Sequence, residues 1–134
     1  MSASSALQKV IIAALLADSG VAQAVGNRVF DRAPKGVRYP YVSLGPSSFF
    51  PERRDCMTAR VETVQLDVWA RNNERRQPCK AICDAVEAAL DMADLSLEDP
   101  YGLGRFELRL SRVLDDPDGI TTHGVMQFEA EVTY

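Results

Sequence analysis

Thr63-Val64-Gln65-Leu66-Asp67-Val68-Trp69-Ala70-Arg71 alternates apolar and polar side chains. Val64, Leu66, Val68 and Ala70 fall on one side of an extended chain, and Thr63, Gln65, Asp67 and Arg71 on the other. A period of two with one apolar side describes a strand lying on a core by one face and wetted on the other, as in antiparallel sheets. Trp69 stands on the polar side, so a neighbouring side chain is expected to cover it in part.

Toward the C-terminus, residues 72–76 read as a polar turn. Pro78 then suits the first turn of a helix, where its missing N–H costs nothing. Cys79, Ile82, Cys83, Val86, Ala89 and Leu90 recur at i, i+3, i+4 and i+7, an apolar helical stripe expected to end near Met92. Two further alternating runs follow. Phe106, Leu108 and Leu110 alternate with Arg105, Glu107 and Arg109; Met126, Phe128, Ala130 and Val132 alternate with Gln127, Glu129, Glu131 and Thr133. Pro117-Asp118-Gly119 between them is a turn signal, so the pair reads as a β-hairpin with one apolar face.

Toward the N-terminus, Tyr41–Leu44 reads as a strand between Pro40 and Gly45-Pro46, and Arg28–Asp31 as a shorter one, with a loop over 33–38. Ala6, Leu7, Val10, Ile11, Ala14 and Leu15 have helical spacing, with Ser4 or Ser5 as cap, Ser19-Gly20 as stop and a short helical piece over 21–25. The apolar run from Val10 to Leu16 behind Lys9, with Ala22-Gln23-Ala24 beyond, has some features of a secretory signal. A single lysine before the run and Asp18 after it favour the amphipathic helix instead. Residues 46–59 show no period and read as a long loop or an extended hairpin arm; long loops in compact domains commonly carry function. The order helix, strands, helix, hairpin predicts an α+β domain over residues 1–134, an antiparallel sheet packed by two main helices.

The 134 residues suit one domain, and 46% hydrophobic with 25% charged residues is ordinary for a globular chain. A net charge of −4 supplies no basic field to grip nucleic acid. Cys56, Cys79 and Cys83 make an odd set with no disulfide framework, which suits a reducing compartment. No run approaches the roughly 20 apolar residues of a membrane span.

The sequence carries no complete catalytic or metal-binding motif. His123 is the only histidine, so any Ser/His or Cys/His system would have to use it. Cys79 and Cys83 share a helix face, but zinc takes four ligands, and Cys56 and His123 would have to join from separate elements. The two thiols read instead as small apolar packing groups. Asp115, Asp116, Asp118 and Gly119 resemble a calcium loop, yet its first ligand position falls on Leu114 and its bidentate acid on Val125. No phosphate-cradling glycine motif occurs. No catalytic residue, cofactor or metal is assigned.

The residues that stand out are Phe49, Phe50, Arg53, Arg54 and Met57 in the aperiodic stretch, and Trp69 and Arg71 on the sheet's wet side. Aromatic and arginine side chains are enriched where proteins meet, so these are the candidate interface.

Three groups of residues together resemble the small tail-completion or tail-terminator proteins of siphophage-like particles, including gene transfer agents. The first is Gly26-Asn27-Arg28-Val29-Phe30-Asp31-Arg32-Ala33-Pro34 with Tyr39-Pro40-Tyr41-Val42-Ser43-Leu44-Gly45 after an opening helix. The second is Val68-Trp69-Ala70-Arg71 with Lys80-Ala81-Ile82-Cys83-Asp84-Ala85-Val86 and Ala89-Leu90. The third is Asp116-Pro117-Asp118-Gly119 with Thr122-His123-Gly124-Val125. Residues 72–75 depart from the glycine-rich turn common there, and 46–59 match no family pattern. The resemblance implies a non-enzymatic structural subunit: a hexameric ring of this chain that caps the head-proximal end of the tail tube, docks on the head connector's stopper protein and lets DNA pass without specific binding. It also implies assembly in the cytoplasm of the producing bacterium, followed by residence in the particle's neck. Two alternatives stand beside it, a neighbouring connector protein (stopper or adaptor) and a small hydrolase using Cys56 or His123.

Overall fold

The computed structural model describes residues 2–71 and 75–134. In chain order the elements are α1 (Ala3–Ala17), α2 (Ser19–Val25), β1 (Val29–Phe30), β2 (Tyr41–Arg53), β3 (Thr58–Ala70), α3 (Gln77–Leu90), β4 (Gly102–Asp115) and β5 (Thr122–Thr133). The strands form one sheet in the order β1-β2-β3-β5-β4. β1 runs parallel to β2, and every other neighbouring pair is antiparallel. The fold is α+β, and β4 with β5 forms the expected C-terminal hairpin.

β3, the strand with the clearest apolar–polar alternation, lies at the sheet's centre, between β2 and β5. Val64, Leu66, Val68 and Ala70 are buried beneath the helices, with Phe128 opposite Val64 and Met126 opposite Leu66 on β5. α3 supplies Cys79, Ile82, Cys83, Val86 and Leu90 to the same core, and α1 supplies Ala3, Ala6, Leu7, Ile11 and Leu15. α3 comes very close to β5. A Cβ at Gly124 would lie 2.5 Å from the Cys83 sulfur and 3.3 Å from that of Cys79, so this position has room only for glycine. The two thiols therefore fill a tight part of the helix–sheet contact.

Several local details differ from the sequence expectation. Ser2, not Ser4 or Ser5, caps α1: its Oγ accepts from the Ser5 N–H at 3.2 Å. Asp18, not Ser19-Gly20, ends that helix. Its backbone turns extended, and its carboxylate caps α2 by accepting from the Val21 N–H at 3.0 Å. α3 stops at Leu90, two residues before Met92. A register shift between Leu108 and Leu110 turns Leu110 outward to 40% exposure, while Phe106 stays buried and Leu108 packs at the core's edge. The expected turn at 72–76 lies partly outside the described residues. Among those described, no single helix is long and apolar enough to cross a membrane.

Residues 46–59 form a hairpin rather than a loop. β2 continues past Pro46 and pairs with β3 as far as Arg53 opposite Thr58. The register shifts between Leu44 and Ser47, a bulge that Gly45 and Pro46 occupy. A Cβ on Gly45 would lie 2.6 Å from an Asp67 carboxylate oxygen. Pro46 lacks an N–H, which an edge strand tolerates.

Candidate docking surface

Beyond the bulge, every residue of β2 from Pro46 to Arg53 is exposed. β1 pairs with Val42 and Ser43, so among the described residues the outer margin of β2 has no strand beside it from Gly45 onward. On this hairpin Phe50 is 74% exposed, and Phe49 and Met57 are each about half exposed. Pro51, Glu52, Arg53, Arg54, Met57 and Ala59 line a shallow groove of about 310 Å³.

The side chains here are partly anchored. The Arg60 guanidinium lies 4.0 Å from the Phe49 ring centre and 5.8 Å from that of Tyr134, a pair of cation–π contacts. Arg60 is buried; it reaches Ser4 Oγ at 3.4 Å, and its Nε lies 3.6 Å from the buried Glu62 carboxylate without a hydrogen-bond partner among the described residues. Arg54 donates to Glu52 at 2.9 Å and lies 3.3 Å from Glu131; these hydrogen bonds hold its guanidinium pKa above the usual value. Arg53 is exposed and has no ion pair among the described residues.

Trp69 and Arg71 sit at the opposite end of β3, so the structure does not bring the two candidate groups together. Both are tied into the sheet's open face. The Trp69 ring stacks on His123 at 3.8 Å and 10°, which identifies the expected cover, and its Nε1 donates to Ser43 Oγ at 3.1 Å. Tyr41 stacks on Trp69 at 6.4 Å and meets Tyr39 at 5.1 Å and Phe30 at 6.1 Å. Burial, then the neighbouring Tyr39, pushes the Tyr41 phenol up to about 12. Arg71 lies over the Tyr39 ring at 4.1 Å, donates to Thr121 Oγ1 at 2.9 Å and comes within 3.6 Å of Asp118. The Thr121 hydroxyl and the Ile120 N–H donate to Asp118 and lower its carboxyl pKa. Sequence reasoning missed Tyr39, Tyr41 and His123 as partners in this network, because cross-strand register creates it.

The chemistry considered from sequence finds little geometry to use. Cys79 and Cys83 face Gly124 beneath α3, whereas the His123 ring lies on the other face against Trp69. The hydrogen bond with Cys79, then burial, pushes the Cys83 thiol well above its ordinary range. His123 Nε2 is 2.7 Å from Asp67, but Ser43, directly across from Asp67, is bonded to Trp69. No group of three or more metal-ligating side chains converges among the described residues.

Comparison with known proteins agrees with the architecture. The chain is 30% identical over 125 residues to the tail completion protein gp17 of Bacillus phage SPP1, covering 93% of this chain and 90% of that protein. It superposes on a chain from the virion of a native gene transfer agent particle with a TM-score of 0.91 and 26% identity, covering 99% and 98% of the two chains. The structure of the bacteriophage SPP1 gp17 protein gives a TM-score of 0.64 and 29% identity, covering 96% and 89%. The family model described as Tail completion protein gp17 matches residues 9–133. The chain therefore belongs to the tail completion protein gp17 family and has a structural role in a phage-like tail.

Proposed function

We propose that this chain, as a single domain without catalytic activity, caps the head-proximal end of a phage-like tail tube as a closed hexameric ring and joins it to the head connector. The observation that carries the reading is the end-to-end likeness to a chain of a gene transfer agent virion. In this reading the subunits assemble in the producing cell's cytoplasm and then occupy the particle's neck. One ring surface meets the tail tube protein and another the stopper protein. DNA passes through the centre, and an acidic chain does not hold its phosphates.

A closed cyclic ring uses two different, complementary surfaces on each subunit. The hairpin bearing Phe49, Phe50, Arg53, Arg54 and Met57 is proposed as one docking surface, with the open face around Trp69 and Arg71 in reserve. The test replaces Phe50, Arg53 and Arg54 with Ser in a producing strain and images the particles. Tailless heads and tails of abnormal length are expected. Normal DNA-delivering particles would remove the hairpin from the interface. Gold-labelled wild-type chain at the tail tip, rather than the neck, would overturn the cap itself.

A further inference from the structure

We infer that the exposed margin of the hairpin docks on the α3–β4 loop, residues 91–101, of a second copy of this chain. The inference rests on the ring reading and names the two surfaces that would close it.

The sheet's two margins differ. On one side no strand among the described residues pairs with the outer edge of β2 from Gly45 to Arg53; Phe50 and Arg53 are exposed there, and the turn beyond adds Asp55 and Arg54, the latter held by Glu52 and Glu131. On the other side the start of the 91–101 loop seals the edge of β4: the Met92 N–H donates to the Phe106 carbonyl at 3.1 Å, and the Leu108 N–H donates to the Asp91 carboxylate at 2.9 Å. This loop carries Asp91, Asp94, Glu98 and Asp99 and presents Met92, 69% exposed. Asp94 and Asp99 are exposed and have no ion pair among the described residues. The loop is also pre-shaped. Leu95 and Leu97 pack on the core, and Lys9 bonds Glu98 at 3.0 Å.

Both margins lie at one end of the sheet. Thr58, which closes the hairpin, exchanges backbone hydrogen bonds with Tyr134, and Gly102, which follows the loop, pairs with Thr133. β3 and β5 separate them. A margin with an exposed aromatic and an arginine, Arg53, that has no ion pair among the described residues, and an acidic margin, therefore stand level on opposite sides of one subunit. That arrangement suits a head-to-tail contact between copies, in which Arg53 meets a loop carboxylate. Arg105 and Arg109 on β4 turn toward Glu107, at 3.8 and 3.1 Å.

The test is charge reversal with rescue. Arg53→Glu with Arg54→Glu alters the hairpin, and Asp94→Arg with Asp99→Arg alters the loop. Each pair alone should cut the yield of tailed particles about 10-fold or more, and all four in one chain should restore it to within about threefold. A fourfold variant no better than the hairpin variant, or a loop variant with normal yield, overturns the contact. As a measurement independent of folding losses, Arg53→Cys and Asp94→Cys in a Cys56→Ser chain should give covalent ladders in particles treated with a short bis-maleimide, and monomers alone would overturn the contact. Labelled wild-type chain found at the neck while rescue and ladders both fail leaves the cap standing without this contact; label found elsewhere removes the cap whatever the rescue shows.

Discussion

The two halves of the β2–β3 hairpin share a strand pair yet live under different physics. At the root, β2 is paired on both sides, and Tyr41 and Val42 are buried. Beyond the Gly45-Pro46 bulge the same strand has one neighbour among the described residues, and all its side chains from Pro46 to Arg53 are exposed. The root adds to the core; the outer half of β2 adds little burial and leaves aromatic and arginine side chains at the surface. The bulge marks the border between what holds the fold and what the fold offers to another molecule.

The contrast breaks first if the root proves dispensable. Leu66 is 1% exposed in the middle of β3, opposite Met126 and beneath the helices. Leu66→Ala should destabilise the chain by about 2–5 kcal/mol in chemical denaturation, through lost burial and the cavity left behind. A loss under about 0.5 kcal/mol, the size ordinary for surface sites, would erase the distinction.

The next largest effect is expected at Gly124. Gly124→Ala forces a methyl group against Cys83, Cys79 and Val68, and overpacking of this kind costs about 1–3 kcal/mol. Cys83→Ala removes the nearest atom. The double variant should therefore recover part of the loss, a non-additivity that a denaturation cycle measures. Strict additivity would mean that α3 shifts as a body and the contact is not tight.

These two sites also show what was legible in sequence. β3, α3 and β5 could be read because periodicity and burial agree there: each puts one continuous apolar face on one core. The cysteines could be read as packing groups, but the glycine that makes their packing tight could not, because α3 and β5 meet only in three dimensions. Leu110 kept its place in the sequence alternation and lost its place in the core, since a register shift leaves no periodic trace. The outer hairpin stayed open between loop and arm for a related reason. With neither face of β2 buried there, its strand character comes from cross-strand pairing, and Ser47, Ser48 and Glu52 give no pattern to find. Phe49, Phe50, Arg53 and Arg54 could be singled out by residue type. The acidic residues 91–99 could not, because their relation to the hairpin appears only once the topology puts β4 on the opposite margin.

A smaller effect should appear at alkaline pH. Tyr41 belongs to the root, and its phenol pKa is raised from 10.0 to about 12 by burial and Tyr39. A raised acid pKa means that the folded state favours the neutral form. That stabilisation is complete below pH 10 and is lost as pH rises from 10 toward 12. Unfolding midpoints should fall across that window, and Tyr41→Phe should flatten the fall. An unchanged slope in Tyr41→Phe would place the loss at another group.

The smallest stability effect is the one that sharpens the comparison most. Phe50 is 74% exposed on the outer strand and lies opposite Val61 across the sheet. Phe50→Ala removes a large apolar side chain, a change that in the core costs about 3–5 kcal/mol. Here most of that surface already meets water, so the unfolding free energy should move by no more than about 0.5 kcal/mol, as at ordinary surface sites. If the ring forms through this strand, the same substitution should still reduce particle yield, because a truncated aromatic is felt where a partner buries it. Stability and assembly should thus separate at this residue, whereas Leu66→Ala lowers both together through loss of fold. A Phe50→Ala chain that unfolds as easily as Leu66→Ala would show that the outer hairpin is part of the core's support. One that folds normally and also assembles normally would make its exposure an ordinary feature of an edge strand. Only the split result, normal unfolding with impaired particles, fits a strand that is structurally idle in the single chain and engaged in the assembly.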